Sequence, residues 1–306
     1  MDLIGILTLA LIWGSSFLFI KIGLNGGMSP VLVAGARLAI GASLLWGVVL
    51  ARRLFAPGSF KKPIPRDRAT WTKIALIGLV NNAVPFVLIA WGEQRISSGL
   101  TSVLNSSMPL FTVLFAHFLT HDDRITPAKA LGVLVGFAGV AVVIAPGAGD
   151  LSGELPGSLA IVVASAAYAI ATVFVRKSLA GATDPTATGA AQLATAFVWL
   201  APLMLATGTA AHLDAISLDA ILAVVALGLL GTGLAYLIYY LLIQRAKASQ
   251  MSLVTYLLPV TALVYGALFL REEITVHALA GFGLIVSGIL LVNRANAPPV
   301  RQTATA

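Results

Sequence analysis

Cysteine is absent from the 306-residue chain, which excludes a disulfide framework, thiol chemistry and thiolate metal sites. Charge is scarce as well. Only 10% of residues are Asp, Glu, Lys or Arg, against about 25% in soluble domains. Acid is the rarer sign, with 12 residues against 19 basic ones. No P-loop, His-Glu-x-x-His or Gly-x-Ser-x-Gly sequence occurs, so the usual marks of ATP-driven pumping, metalloproteolysis and serine hydrolysis are missing. Hydrocarbon is abundant instead: 58% of residues are apolar, and 29 more are glycine. That much hydrocarbon with so few charges cannot be covered by a water-exposed surface. The class that fits is an all-α polytopic membrane protein.

A helical crossing needs about 20 mainly apolar residues. Ten such segments are predicted: 3–22, 30–50, 71–91, 98–119, 128–146, 157–176, 185–207, 218–241, 249–270 and 275–293. Barrel strands would alternate polar and apolar residues, whereas runs such as Leu131–Ile144 are apolar on every side. Basic residues sort the ends. With the N-terminus cytoplasmic, 15 Lys and Arg fall on the inner side and 3 on the outer, and Arg37 falls within a segment. This bias predicts that both termini are cytoplasmic. The basic run from Arg52 to Lys73 then reads as a topology determinant near anionic lipid headgroups, and no nucleic-acid partner is expected.

The chain repeats itself. Trp13, Lys21 and Pro30 recur as Tyr168, Arg176 and Pro185, 155 residues on. Gly78, Gln94, Arg95, Ser102 and Pro109 recur as Gly228, Gln244, Arg245, Ser252 and Pro259, 150 on. Gly132 and Gly139 recur as Gly281 and Gly288, 149 on. Each copy holds five crossings, and an odd number inverts the second copy in the membrane. The expected division is a first repeat over 1–146, an external linker over 147–156, a second repeat over 157–293 and a cytoplasmic tail over 294–306. Inverted repeats can exchange conformations and so move access to a midplane site from one face to the other.

The residues Trp13-Gly14-Ser15-Ser16 with Lys21, the Pro30…Arg37-Leu38 pair and the Pro109…Asp123-Arg124-Ile125-Thr126…Gly132…Gly139 pattern carry a resemblance. The last pattern returns as Pro259…Glu272-Glu273-Ile274-Thr275…Gly281…Gly288. The chain resembles the EamA-type family of the drug/metabolite transporter superfamily over nearly its whole length. The resemblance implies ten helices in two inverted five-helix repeats around a central cavity. It also implies residence in the plasma membrane (the inner membrane of a bacterium) and export of amino acids, other small metabolites or drugs.

Several residues are candidates for handling such a substrate. Ser98, Thr101, Ser102, Asn105, Pro109 and Thr112 share one face of the fourth helix, which reads as cavity lining or as helix packing. Pro109 and Pro259 each free the carbonyl four residues back, making them candidate hinges. Asn82 lies mid-helix, with Thr232 as its copy. Trp13, Tyr168, Tyr236 and Tyr256 are aromatic candidates for the cavity wall. Arg37 is either an anchor for a substrate carboxylate or a structural side chain reaching freed carbonyls. His117 and His121, near Asp122, have a spacing that could ligate zinc, but no third ligand accompanies them; no metal and no cofactor are expected. Gly132, Gly136 and Gly139 form a close-packing face, for a neighbouring helix or for a second copy in a homodimer. Because the acids lie in loops or near segment ends, with Glu93 the most interior, coupling through an embedded carboxylate is not expected. The alternatives to a transporter are a channel, an intramembrane enzyme or a scaffold.

Overall fold

The computed structural model describes residues 2–56, 58, 67–120, 124–178, 183–207, 215–243, 245 and 248–295. Among them there is no strand, and ten helices are long and apolar enough to cross a membrane. They are α1 (Leu3–Asn25), α2 (Pro30–Phe55), α3 (Arg68–Glu93), α4 (Ser98–Leu119), α5 (Pro127–Gly147), α6 (Glu154–Lys177), α7 (Pro185–Ala206), α8 (Leu218–Ile243), α9 (Leu253–Leu270) and α10 (Val276–Ala295). Lys61, Lys62 and Arg66 of the basic run, His121, Asp122 and Asp123, Gln244, Lys247 and the tail beyond 295 lie outside the described residues.

The helix starts show why the elements begin where they do. Ser29 accepts the Leu32 N–H at 3.2 Å ahead of Pro30, and Asp184 accepts the Ala187 N–H at 3.1 Å ahead of Pro185. Asp67 and Ser217 cap α3 and α8 in the same way, and Thr126 and Thr275 cap α5 and α10. A side-chain cap is worth about 1 kcal/mol, and a proline in the first turn sacrifices no hydrogen bond. The six caps form three pairs at the repeat offsets of 155, 150 and 149 residues.

The neighbours of each helix also exchange. α1 packs on α9, and α6 packs on α4; α3 packs on α6, and α8 on α1; α2 packs on α8, and α7 on α3. The pairs α2–α7, α4–α9 and α5–α10 map onto themselves. This is the pattern expected of two exchangeable five-helix units. The α5–α10 seam is the closest. A Cβ on Gly132 would lie 2.7 Å from the Gly288 carbonyl oxygen, and one on Gly139 would lie 2.6 Å from that of Gly281. The glycine face read as a possible dimer surface is thus spent on the partner helix within the chain.

Even-numbered crossings return the chain to its starting side, so residues 2 and 295 share one end, called here the terminal end. Arg52 lies at that end and holds Asp184 through both guanidinium nitrogens, at 3.1 and 3.3 Å. The opposite end carries the turn after α5, where Asp150 accepts N–H groups from Glu154, Ser152 and Gly153. Those bonds hold its carboxyl below the ordinary aspartate range, that from Glu154 contributing most.

Candidate functional site

Two stretches of helix open from α to π pitch, Leu79–Ala83 in α3 and Leu227–Leu234 in α8. They overlap at the repeat offset of 150. The causes differ. Pro85 has no N–H for the Asn81 carbonyl, which loosens the first. Gly228, Gly231 and Gly233 loosen the second, and bring it close to α1 and α2: Cβ atoms on Gly231 and Gly228 would meet Ser16 Oγ and Ile40 Cβ, each at 2.6 Å. Wide turns of this kind collect at functional sites. Each presents one fully buried polar side chain, Asn82 and Thr232.

Arg37 meets the second wide turn. Its Nε donates to Thr232 Oγ1 at 2.8 Å, and its guanidinium carbon lies 3.8 Å from the centre of the Phe86 ring. The side chain is buried, yet neither terminal nitrogen has a hydrogen-bond partner among the described residues. Tyr168, Tyr236 and Glu93 lie within its electrostatic reach. Asn82 Nδ2 donates to the Tyr236 hydroxyl at 2.8 Å, while its buried Oδ1 receives no donor among the described residues. From Tyr236 a run of rings leads away. Centroids are 5.9 Å apart for Tyr236 and Tyr240, 5.8 Å for Tyr240 and Tyr239, and 5.7 Å for Tyr239 and Trp13. The structure thus gathers Arg37, Asn82, Tyr168 and Tyr236 about one buried region between the two halves, and Trp13 stands at the far end of the run of rings. Phe86, Thr232 and Tyr239 complete the region. Sequence reading had Thr232 only as a repeat copy, and gave no signal for Phe86 or Tyr239.

Two other candidates bond to other helices. Asn105 Oδ1 accepts the Ser165 hydroxyl at 3.3 Å, on the α4–α6 contact. Tyr256 accepts from Asn293 Nδ2 at 3.0 Å, on the side of α9 that faces the end of α10. The matched prolines differ in surroundings. α4 is broken into Ser98–Asn105 and Met108–Leu119, with Ser106 and Ser107 between and Pro109 opening the second piece. The helix that contains α9 runs unbroken from Ala248 to Leu270 through Pro259.

The opposite end is fastened by two charges at the α3–α4 turn. Lys21 Nζ donates to the carbonyl oxygens of Glu93 and Ile96, at 2.5 and 3.0 Å. These are the free carbonyls of a helix C-terminus, where a cation is favoured. Glu272 takes the following N-terminus. It accepts the Ser98 N–H at 2.9 Å, the Ser98 hydroxyl at 2.7 Å and the Gly99 N–H at 3.2 Å. Arg271 stands just before it at φ 56°, a left-handed position that a non-glycine residue occupies at a cost of roughly 1–2 kcal/mol. Glu93 itself is wholly buried, and neither carboxyl oxygen has a partner among the described residues. It closes α3, the segment end at which the sequence places it, and its carboxyl is turned into the protein. Position along the chain carries no sign of that burial, which depends on what the other helices bring against it.

At the terminal end a recess of about 110 Å³ opens between α4 and α6, lined by Thr112, Val113, Ala116, Thr120, Thr172 and Arg176 among others. Nearby, His117 Nδ1 accepts the Ile125 N–H at 3.2 Å, an ordinary loop-fastening role.

The model of the EamA-like transporter family matches residues 2–145 and again 155–294. An Archaeoglobus fulgidus protein named an uncharacterized transporter is 30% identical over 92% of this chain and 95% of its own. The Escherichia coli K12 protein YedA, named an uncharacterized inner membrane transporter, is 29% identical over 93% of this chain and 88% of its own. A Streptantibioticus cattleyicolor protein named a probable terminal-alkyne amino-acid exporter is 27% identical over 96% and 93%. A solved crystal structure shares the fold, with a TM-score of 0.67 at 19% identity, covering 96% of this chain and 98% of the other.

Proposed function

Because the chain belongs to the EamA-like transporter family, we propose that it is a secondary transporter exporting small zwitterionic or carboxylate-bearing solutes by alternating access. In this reading the terminal end is the cytoplasmic one, which the 15-to-3 distribution of cations supports.

The observation that carries this reading is Arg37. A buried guanidinium with one nitrogen tied to Thr232 and its face on Phe86 is held in one orientation. Its two remaining nitrogens point a fork-shaped donor edge at no protein acceptor among the described residues. A carboxylate matches that edge with two parallel hydrogen bonds. The ring faces of Tyr236, Tyr239 and Tyr240 supply an apolar, weakly negative wall on which an ammonium or hydrocarbon tail can rest. The name of the Streptantibioticus relative, an amino-acid exporter, supports the same chemistry.

Access alternates through α4 and α9. In this account the broken α4 and unbroken α9 exchange shapes, Pro109 and Pro259 being the sites of bending, while Lys21 and Glu272 release the outer end. The recess between α4 and α6 is the start of the cytoplasmic route.

Counterflow into proteoliposomes tests the reading. Neutral amino acids preloaded inside should accelerate uptake of labelled ones, and Arg37→Gln should lower that exchange by about tenfold or more. Solutes without a carboxylate should lose little. Equal loss for both kinds in well-folded Arg37→Gln would overturn the carboxylate assignment. Non-saturable flux would favour a channel.

A further inference from the structure

Glu93 ends α3 on the outer side, and its carboxyl is sealed from solvent with two oxygens that meet no donor among the described residues. The adjacent ammonium of Lys21 is spent on backbone carbonyls, including that of Glu93. Three charges act on the carboxyl: the Lys21 ammonium attracts a carboxylate there most, Glu272 repels it from the turn after α9, and Arg37 attracts it from α2. The other neighbours bring no free charge. α6 presents Gly157 and Ile161 to this turn, Ser97 caps α4 and the Ser98 hydroxyl donates to Glu272, and Arg95 lies over Trp91 while donating to its carbonyl. A carboxylate sealed in such surroundings with unfilled lone pairs costs several kcal/mol, and a second carboxylate within reach adds to that cost. A neutral carboxyl bears neither.

We propose that Glu93 is a proton-binding site, filled when the outer end is closed as it is here and emptied when that end opens. Closing brings α1 against the α3–α4 turn. Lys21 then takes the helix carbonyls, water leaves, and the carboxyl enters as the acid. Opening withdraws Lys21 and readmits water, the proton leaves to the outer side, and the freed ammonium and carboxylate can pair. One proton is taken up per closure, so the closed form gains as the outer pH falls. The readout is access rather than flux, so this site stands or falls independently of what Arg37 holds.

The chain lacks cysteine, and Ser102 is fully buried in the outer piece of α4. Ser102→Cys therefore reports opening of the outer end. In proteoliposomes its maleimide labelling from outside is measured across pH and divided by that of Gly149→Cys, an open loop position, which cancels the thiol's own titration. The ratio should rise by up to ~tenfold per pH unit over one transition. Glu93→Gln, a neutral isostere, should give a low ratio at every pH. Glu272→Gln should raise the ratio and keep its pH dependence. A flat ratio in the otherwise unaltered chain, or an undiminished dependence in Glu93→Gln, overturns the proposal. Should Glu93→Gln not fold, Glu93→Asp decides: a shifted midpoint supports the site and an unshifted one overturns it.

Discussion

Glu272 reaches from the turn after α9 to Ser98, accepting both its N–H and its hydroxyl, at 2.9 and 2.7 Å. One carboxylate from the second half thereby seats the first turn of α4 in the first half. Room for it exists because residue 266 is glycine: a Cβ there would meet Ser98 Oγ at 2.9 Å and also strike the carboxylate. The contact combines hydrogen bonds to a charged acceptor with a helix N-terminus. Replacing Glu272 by Gln should weaken the closed outer end by about 1–2 kcal/mol, or roughly five- to thirtyfold in the closed-to-open ratio. Outside labelling of Ser102→Cys at fixed pH measures this directly.

The α5–α10 seam gives a paired prediction within one helix. Gly281 lies against α5, where a Cβ would come 2.7 Å from the Gly139 carbonyl oxygen, whereas a Cβ on Gly283 would meet nothing within 4 Å. Gly281→Ala should cost about 1–3 kcal/mol through forced separation of the helices. Gly283→Ala should be neutral or stabilise by up to roughly 1 kcal/mol. Thermal unfolding in one detergent compares the two, and equal effects would contradict the seam.

The prolines should act oppositely. Pro109→Ala restores a helical N–H beside the break at Ser106 and Ser107, so α4 should straighten and Thr172→Cys, in the recess at the terminal end, should label more slowly. Pro259→Ala removes the site at which α9 would bend, and should hold the cytoplasmic side open and slow turnover. Wild-type labelling and turnover in both variants would reduce the prolines to packing features.

Much of this was legible in the sequence. The ten crossings and the family were readable because hydrophobic length and repeat spacing are local properties. The inequality of α4 and α9 was not. Both carry the proline, and symmetry in the sequence does not say which half is bent in a given conformation. The π turns were hidden because one arises from Pro85 and the other from glycines, so no shared motif marks them. Asn105 lay on a face read as cavity lining or helix packing and Tyr256 was an aromatic candidate for the cavity wall; neither reading identifies the neighbouring side chain, which is Ser165 for one and Asn293 for the other. Glu272 and Glu93 were read by position along the chain, as loop and helix-end acids. Their roles depend on what the other half brings against them.

The central claim is that the two ends open in turn. A chain bearing both Ser102→Cys and Thr172→Cys tests it, with one bulky impermeant maleimide applied outside and another of different mass applied inside. The account predicts that each site reacts alone, and that attachment at either protects the other, so that singly labelled molecules dominate the mass spectrum at full reaction. Doubly labelled molecules in the proportion expected of independent sites would mean that both ends stand open together, and would contradict alternating access.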